Sequence, residues 1–319
     1  PMKAETRVVT LEEIEAILPT LDLVPVIEEG FVAYSAGRAV VPPVGELLLE
    51  GGDVHIKYGY IRGEPFYVVK IASGFYGNPA LGLPSSNGLM LLFEQQTGQL
   101  RCVLLDEGRL TDARTAVAGA IVARRLAPGR VERIGIVGTG IQARQQLRFL
   151  GHLAPCQVLV WGRGRRQLAE YATDMAGLGF EIEMTTRAEE ILERCNLVVT
   201  TTPATEPLLF AADLRPGTHI TAVGSDTADK QELDPAILGR ADLVVADSIE
   251  QCLVRGEIHQ ALKARTITQA DLVELGQLLA GGHPGRTAEA QITVADLTGV
   301  AVQDIKIAEA VYRGLAAQG

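Results

Sequence analysis

The spacing of apolar residues changes rhythm along the chain. Near the start, Leu11, Ile14 and Leu18 recur at helical spacing, and Thr10 with Glu13 makes a capping-box pattern ahead of them. A second helix is expected from Asp22 to Gly37, with Val26, Ile27, Phe31 and Tyr34 facing inward. From Val44 to Asp106 the runs "VHIKYGYI", "FYVVKIA", "GLMLLFEQ" and "LRCVLLD" are short and apolar or alternating, with glycine, proline and asparagine between them. That pattern predicts an antiparallel sheet. The alanine-rich "TDARTAVAGAIVARRLAP" then predicts a helix that starts at a cap, Thr111, and stops at Pro128 and Gly129.

From Arg133 strand-like and helix-like segments alternate. "RIGIVG", "QVLVWG", "FEIEM", "NLVVTTT", "HITAVG" and "DLVVAD" are six strand candidates, and their alternation with helices predicts a parallel, doubly wound sheet. The tail "VAVQDIKIAEAVYRGLAA" predicts one more amphipathic helix, which returns to the first domain. The fold class expected is α/β: a Rossmann-type doubly wound parallel sheet plus an α+β domain with a mainly antiparallel sheet. The expected domains are 1–127 with 303–319, and 128–302.

Composition narrows the function. The chain has 319 residues, long for one core, with 47% apolar and 21% charged residues. Its net charge of −10 repels phosphate backbones and anionic bilayers, so nucleic acid and membrane are not expected partners. No apolar run is long enough to span a bilayer, and no signal peptide opens the chain. Pro1 ahead of Met2 reads as a remnant of tag cleavage. Cys102, Cys156, Cys195 and Cys252 lie far apart, which suits reduced thiols in a cytoplasmic protein. His55, His152, His219, His259 and His283 form no ligand motif, so no metal site is expected.

The cofactor signal is Gly138-Thr139-Gly140-Ile141-Gln142-Ala143, between a short apolar strand and a helix. Gly138 allows the tight turn. Gly140 lets the backbone approach a pyrophosphate at the helix N-terminus. After the second strand, NAD-binding domains usually carry an acid for the ribose hydroxyls; here stand Gly162 and Arg163, followed by Arg165 and Arg166. Guanidinium groups attract a 2′-phosphate, so NADP(H) is favoured and NAD(H) remains possible. A solvated basic helix start is the other explanation.

Three further features can supply chemistry. Lys70 lies in an apolar strand, where a charge is costly unless it meets an anion. Arg114 lies in the first turn of its helix, a ready carboxylate site, and "ALGLPSSNGLM" offers Ser85, Ser86 and Asn87. Lys70 can equally be a snorkelling edge residue, and Arg114 a surface ion pair. Asp226 follows Val223, Gly224 and Ser225 at the carboxyl end of a strand, where doubly wound sheets bind ligands. It is a candidate for proton transfer, or a turn cap.

"VKIASGFYGNPALGLPSSNGLMLLF", "LTDARTAVAGAIVARRLA", "IGIVGTGIQARQQL" and "AVGSDTADKQELDP" together resemble the ornithine cyclodeaminase/μ-crystallin family, in its order and spacing across nearly the whole chain. The first stretch is most similar to ectoine-utilisation cyclodeaminase-like members. "GSDTADKQELD" is similar to the alanine dehydrogenase and ketimine reductase branch. The resemblance implies a homodimer built on the sheet of the first domain, which becomes the substrate-binding and dimerisation domain. It implies that Lys70 and Arg114 hold a substrate carboxylate and that Asp226 transfers the proton. Lys70 is also a candidate for the catalytic step, and Arg114 for contact with the cofactor. Ser86, Thr202, Val223, Gly224, Ser225 and Lys230 fall where the family approaches its cofactor, and Thr298 lies in a late loop near the nicotinamide. The chain departs from the family twice. Val44 and Gly45 stand where a carboxylate-binding arginine is common, which Lys57 could replace, and Gly162-Arg163 replaces an acid.

The expected function is NAD(P)H-dependent reduction of an imine or ketimine of a 2-oxo acid, such as 1-pyrroline-2-carboxylate, or reversible amino acid dehydrogenation. The alternatives are an ornithine-type cyclodeaminase that uses bound NAD, and a non-catalytic NADP(H)-dependent binder of small ligands.

Overall fold

A computed structural model describes residues 6–318. The chain divides into two compact units, 1–114 with 300–319, and 115–299.

In the first unit, β1 (Arg7–Val9) leads into α1 (Leu11–Ile17), whose capping box between Thr10 and Glu13 forms as the sequence predicts. Helix α2 spans Leu23–Ser35, ending two residues before Gly37, and buries Leu23, Ile27, Gly30, Phe31 and Ala33. Val26 and Tyr34 are only half-buried, because the buried stripe is centred on Ile27 and Phe31. Strands β2 (Ala39–Val40), β3 (Gly45–Leu49), β4 (Gly52–Ile61), β5 (Phe66–Gly74), β6 (Ser86–Glu94) and β7 (Leu100–Leu104) follow. The sheet order is β1-β7-β6-β5-β4-β2, with β3 also on β4. All pairs are antiparallel except β1 with β7.

Helix α3 (Arg109–Leu126) begins two residues before the expected cap at Thr111. The carboxylate of Asp106 accepts from Leu110 N at 2.9 Å, and Glu107 and Gly108 turn through positive φ ahead of the helix. The tail forms α11 (Ala301–Gln318), packed on α2, β4 and β5 of the same unit. Residues 301–309 are all buried, including Gln303, Asp304, Lys306 and Glu309, so the first half of this helix has no solvent face. An amphipathic reading misses that, since polar side chains here are paired inside the fold.

The second unit contains β8 (Arg133–Val137), α4 (Ile141–Phe149), β9 (Gln157–Trp161), α5 (Arg165–Met175), β10 (Glu181–Thr185), α6 (Glu189–Arg194), β11 (Leu197–Thr200) and β12 (His219–Ala222). Then come α7 (Pro235–Arg240), β13 (Leu243–Ala246), α8 (Ile249–Cys252), α9 (Gly256–Lys263), β14 (Leu272–Glu274), α10 (Leu275–Leu279) and β15 (Thr293–Asp296). All eight strands are parallel, in the order β10-β9-β8-β11-β12-β15-β13-β14. The six expected strands are present. Strands β14 and β15 are additions; β15 is a four-residue run that slots between β12 and β13. The order reverses between β8 and β11, which puts the ligand crevice at their carboxyl ends. Among the described residues, no helix is long and apolar enough to cross a membrane.

Candidate active site

The turn after β8 is shaped by its glycines. Gly138 has φ +116°, and a Cβ there would stand 2.6 Å from Thr201 Oγ1. Gly140 has open space within 4 Å where its Cβ would point, and it opens α4 with no side-chain cap. A helix terminus of this kind is suited to an anion. Ile141 is exposed in that first turn, and Gln142 Oε1 accepts from Gln146 Nε2 at 3.4 Å. Gly138, Gly140, Gly162, Arg163 and Thr202 line one cleft. Gly162 is packed so closely that a Cβ would come within 2.9 Å of Thr139. Arg163 is exposed at the cleft, whereas Arg166 turns to Glu170 at 2.8 Å. The open helix terminus and the glycine-lined cleft at the switch point fit a dinucleotide.

At the end of β12, Val223 is buried and donates from its N to Thr200 O at 2.9 Å. Gly224 lies against Thr202 N and O, and a Cβ would also come within 2.6 Å of Glu232 Oε2. The close approach that requires glycine here is therefore to the protein's own strand ends. Ser225 is buried and donates to Lys230 O at 2.8 Å. Lys230 Nζ donates to Asp226 Oδ1 at 2.7 Å; the lysine side chain is 11% exposed and the aspartate 37%. Arg255 Nη1 donates to the Asp226 carbonyl at 3.2 Å. Asp226 is thus a half-open carboxylate with a sheltered cation beside it. Thr298 is buried, donating to Asp247 Oδ1 at 3.0 Å and accepting from Gln251 Nε2 at 2.8 Å.

In the first unit, Lys70 is 2% exposed and lies on β5, between β4 and β6, so it is not at a sheet edge. Its Nζ is 3.5 Å from Asp304 Oδ1. Arg114, 4% exposed, donates from Nε to the same oxygen at 3.0 Å and from Nη1 to Gln303 Oε1 at 3.1 Å. It is a buried ion pair rather than a surface one. Burial pushes Lys70 down to about 8, with Asp304 opposing and Arg114 assisting. Lys57, also buried, is the cross-strand partner of Lys70. Burial raises the Asp106 carboxyl, and the charge of Lys70 works against that rise. Ser86 opens β6, half-buried opposite Gly74, and Gly45 opens β3.

Sequence reasoning did not find Asp304 or assign Glu232. A carboxylate and an amide inside the apolar run "VAVQDIKIA" were the signal for Asp304. The acid in "KQELD" was the signal for Glu232, which is wholly buried. Trp161 also lines the cleft of Gly138 and Thr202, its buried Nε1 without a hydrogen-bond partner. All four cysteines are free, and burial raises the thiols of Cys102, Cys195 and Cys252. His219 is buried between the hydroxyls of Thr293 and Thr221, and burial pushes it down to about 3. Among the described residues, no group of three His, Cys, Asp or Glu is placed to hold a metal.

The family model for ornithine cyclodeaminase/mu-crystallin matches residues 4–319. The chain is 42% identical to an uncharacterized cyclodeaminase of Sinorhizobium fredii, over 96% of this chain and 95% of that one. Among solved structures it is similar to an archaeal alanine dehydrogenase dimer with bound NAD, at 32% identity and TM-score 0.90, over 98% of this chain and 97% of that one. It is also similar to the Thermococcus litoralis Δ1-pyrroline-2-carboxylate reductase in complex with NADH and L-proline, at 27% identity and TM-score 0.91, covering 98% of each chain.

Proposed function

The chain belongs to the ornithine cyclodeaminase/mu-crystallin family, and on that premise we propose that it is a nicotinamide-dependent reductase of an imine or ketimine of a 2-oxo acid, working also in reverse as an amino acid dehydrogenase. One observation carries this reading. A half-open carboxylate, Asp226, is paired with the sheltered Lys230 on the segment that packs against Thr202 of the dinucleotide cleft.

A nicotinamide dinucleotide held by Gly138, Gly140, Gly162, Arg163 and Thr202 would supply or take the hydride at the carbon of C=N. Asp226 carries the proton, giving it to the imine nitrogen or taking it from the amine, and an iminium accepts hydride better than a neutral imine. Lys230 holds the Asp226 carboxylate in one orientation. Lys70 and Arg114 share Asp304, Asp106 also acts on Lys70, and Lys57 stands in register opposite Lys70. This group of buried cations suits a substrate carboxylate, and such a guest would stabilise the charged form of Lys70. The likeness to a reductase solved with L-proline supports a carboxylate-bearing cyclic substrate.

Arg163 at the cleft and Gly162 in place of an acid favour NADP(H), a departure from the two solved relatives, whose complexes hold NAD and NADH. Leu47, Leu48 and Leu49 of β3 are exposed, Leu48 by 82%. Leu47 and Leu49 lie on one face of this edge strand and Leu48 on the other, and the exposed apolar edge supports a homodimer through β3. The reading also takes the protein to be cytoplasmic, in keeping with its free cysteines.

The likeness to the S. fredii cyclodeaminase favours a second reading, cyclisation of ornithine with release of ammonia and no net cofactor consumption. A screen of cyclic ketimines and of 2-oxo acid plus amine mixtures, following NADPH and NADH oxidation, tests the first. Ammonia release from ornithine tests the second. Cofactor oxidation with none of these substrates would overturn the reductase reading.

A further inference from the structure

Glu232 is wholly buried at the far end of the loop that carries Asp226. Its two carboxylate oxygens serve different segments. Oε2 accepts from Gly224 N at 3.0 Å. Oε1 accepts from Thr202 N at 2.6 Å and from Thr202 Oγ1 at 2.7 Å. The first bond joins the end of the loop to its beginning, closing residues 224–232 into a ring. The second ties that ring to a residue lining the dinucleotide cleft. Inside the ring, Ser225 Oγ holds Lys230 O and Lys230 Nζ holds Asp226. The foot of the ring is held in turn by α9: Glu257 accepts from Glu232 N at 2.7 Å and from Leu233 N at 3.2 Å.

We propose that Glu232 is a positioning residue for proton transfer: one oxygen closes the loop that carries Asp226, the other fastens that loop to Thr202, and the side chain thereby sets where Asp226 stands relative to the dinucleotide. This rests on the reading of Asp226 as the proton-transfer acid. The chemistry of the clasp selects a carboxylate. Three donors converge on two oxygens, and only a group with acceptors on both can serve them all. Glutamine has the length but would turn an NH2 toward one of the donors. Aspartate has both acceptors but lacks a methylene of reach. The absence of a β-carbon at Gly224 is what lets the oxygen approach that amide.

The test uses Glu232→Gln and Glu232→Asp in the full-length protein, with two readouts. Amide hydrogen exchange over residues 224–232 is expected to rise at least tenfold in both variants, with exchange in β8 and β13 unchanged. In imine reduction, kcat is expected to fall at least tenfold with the KM for the imine held within threefold, since the substrate cations are untouched. The decisive comparison is made in the Asp226→Asn background, where Glu232→Gln should cost less than a further threefold because it acts through Asp226. Unchanged loop exchange overturns the proposal, and so does a kcat loss that multiplies fully with that of Asp226→Asn. If the wild type reduces no imine, the functional reading fails and the proton-transfer role falls with it, while the exchange data still decide whether Glu232 holds the loop. If the glutamine variant does not fold, the aspartate variant carries the same comparisons.

Discussion

Lys57 and Lys70 stand directly opposite each other on β4 and β5, both buried. Like charges in register on neighbouring strands repel, so this pair needs anions. Asp304 supplies one at 3.5 Å from Lys70.

The pH dependence of substrate binding follows from that pair. Lys70 is pushed down to about 8 by burial, so it is charged below that pH and neutral above it. KM for a carboxylate substrate is expected to climb as pH rises through 8, and Lys70→Met should abolish that climb while raising KM at neutral pH. The stability effect has the opposite sign. Between 8 and 10.5 the unfolded lysine keeps a proton that the folded one has lost, so the Lys70 contribution to stability rises with pH there. Steady-state kinetics from pH 6.5 to 9.5 provide the check.

Asp304 is the shared counter-ion of two buried cations. Asp304→Asn removes the anion that the two cations share, with Asp106 still acting on Lys70, and is expected to cost about 3–5 kcal/mol of unfolding free energy. Arg114→Ala is expected to raise KM for the carboxylate substrate by an amount equivalent to roughly 2–4 kcal/mol. Urea titration measures the first effect and initial rates the second; a near-normal KM would make the arginine structural.

The proposed preference for NADP(H) rests on Arg163. Arg163→Asp should shift the ratio of kcat/KM from NADPH toward NADH, because a carboxylate repels a 2′-phosphate and bonds a ribose hydroxyl. Equal selectivity in the variant would remove the phosphate argument.

Glu232 leaves a signature in stability. Burial pushes its carboxyl from 4.5 up to about 7, and burial raises Glu257 and Asp296 as well. Between those two pH values the folded state holds a proton that the unfolded chain has released, so the Glu232 contribution to stability falls as pH rises. The urea midpoint of the wild type relative to Glu232→Gln should therefore decline from pH 4.5 to pH 7, by at most roughly 3 kcal/mol in free energy.

Leu48, 82% exposed, sits among the apolar residues of β3. Leu48→Glu is expected to convert a dimer to monomers in sedimentation equilibrium, with the circular dichroism spectrum unchanged. A wild-type protein already monomeric at micromolar concentration would remove β3 as an interface.

Local pattern by itself determined much of this protein. The strand–helix alternation after Arg133, the antiparallel runs before Asp106 and the turn at Gly138 and Gly140 were legible because they rest on periodicity and turn chemistry within a few residues. The family was legible because its four motifs are contiguous stretches. Tertiary structure decided the rest. β15 was not read as a strand although it is as long as β11, β12 and β13, and its place between β12 and β13 comes from pairing with strands far away in sequence. Arg114 finds its anion 190 residues later, on a helix whose polar residues looked like a solvent face. Glu232 finds Thr202 thirty residues earlier. Periodicity reports which face of an element turns inward, but the partner of a buried charge depends on how whole elements are laid against one another.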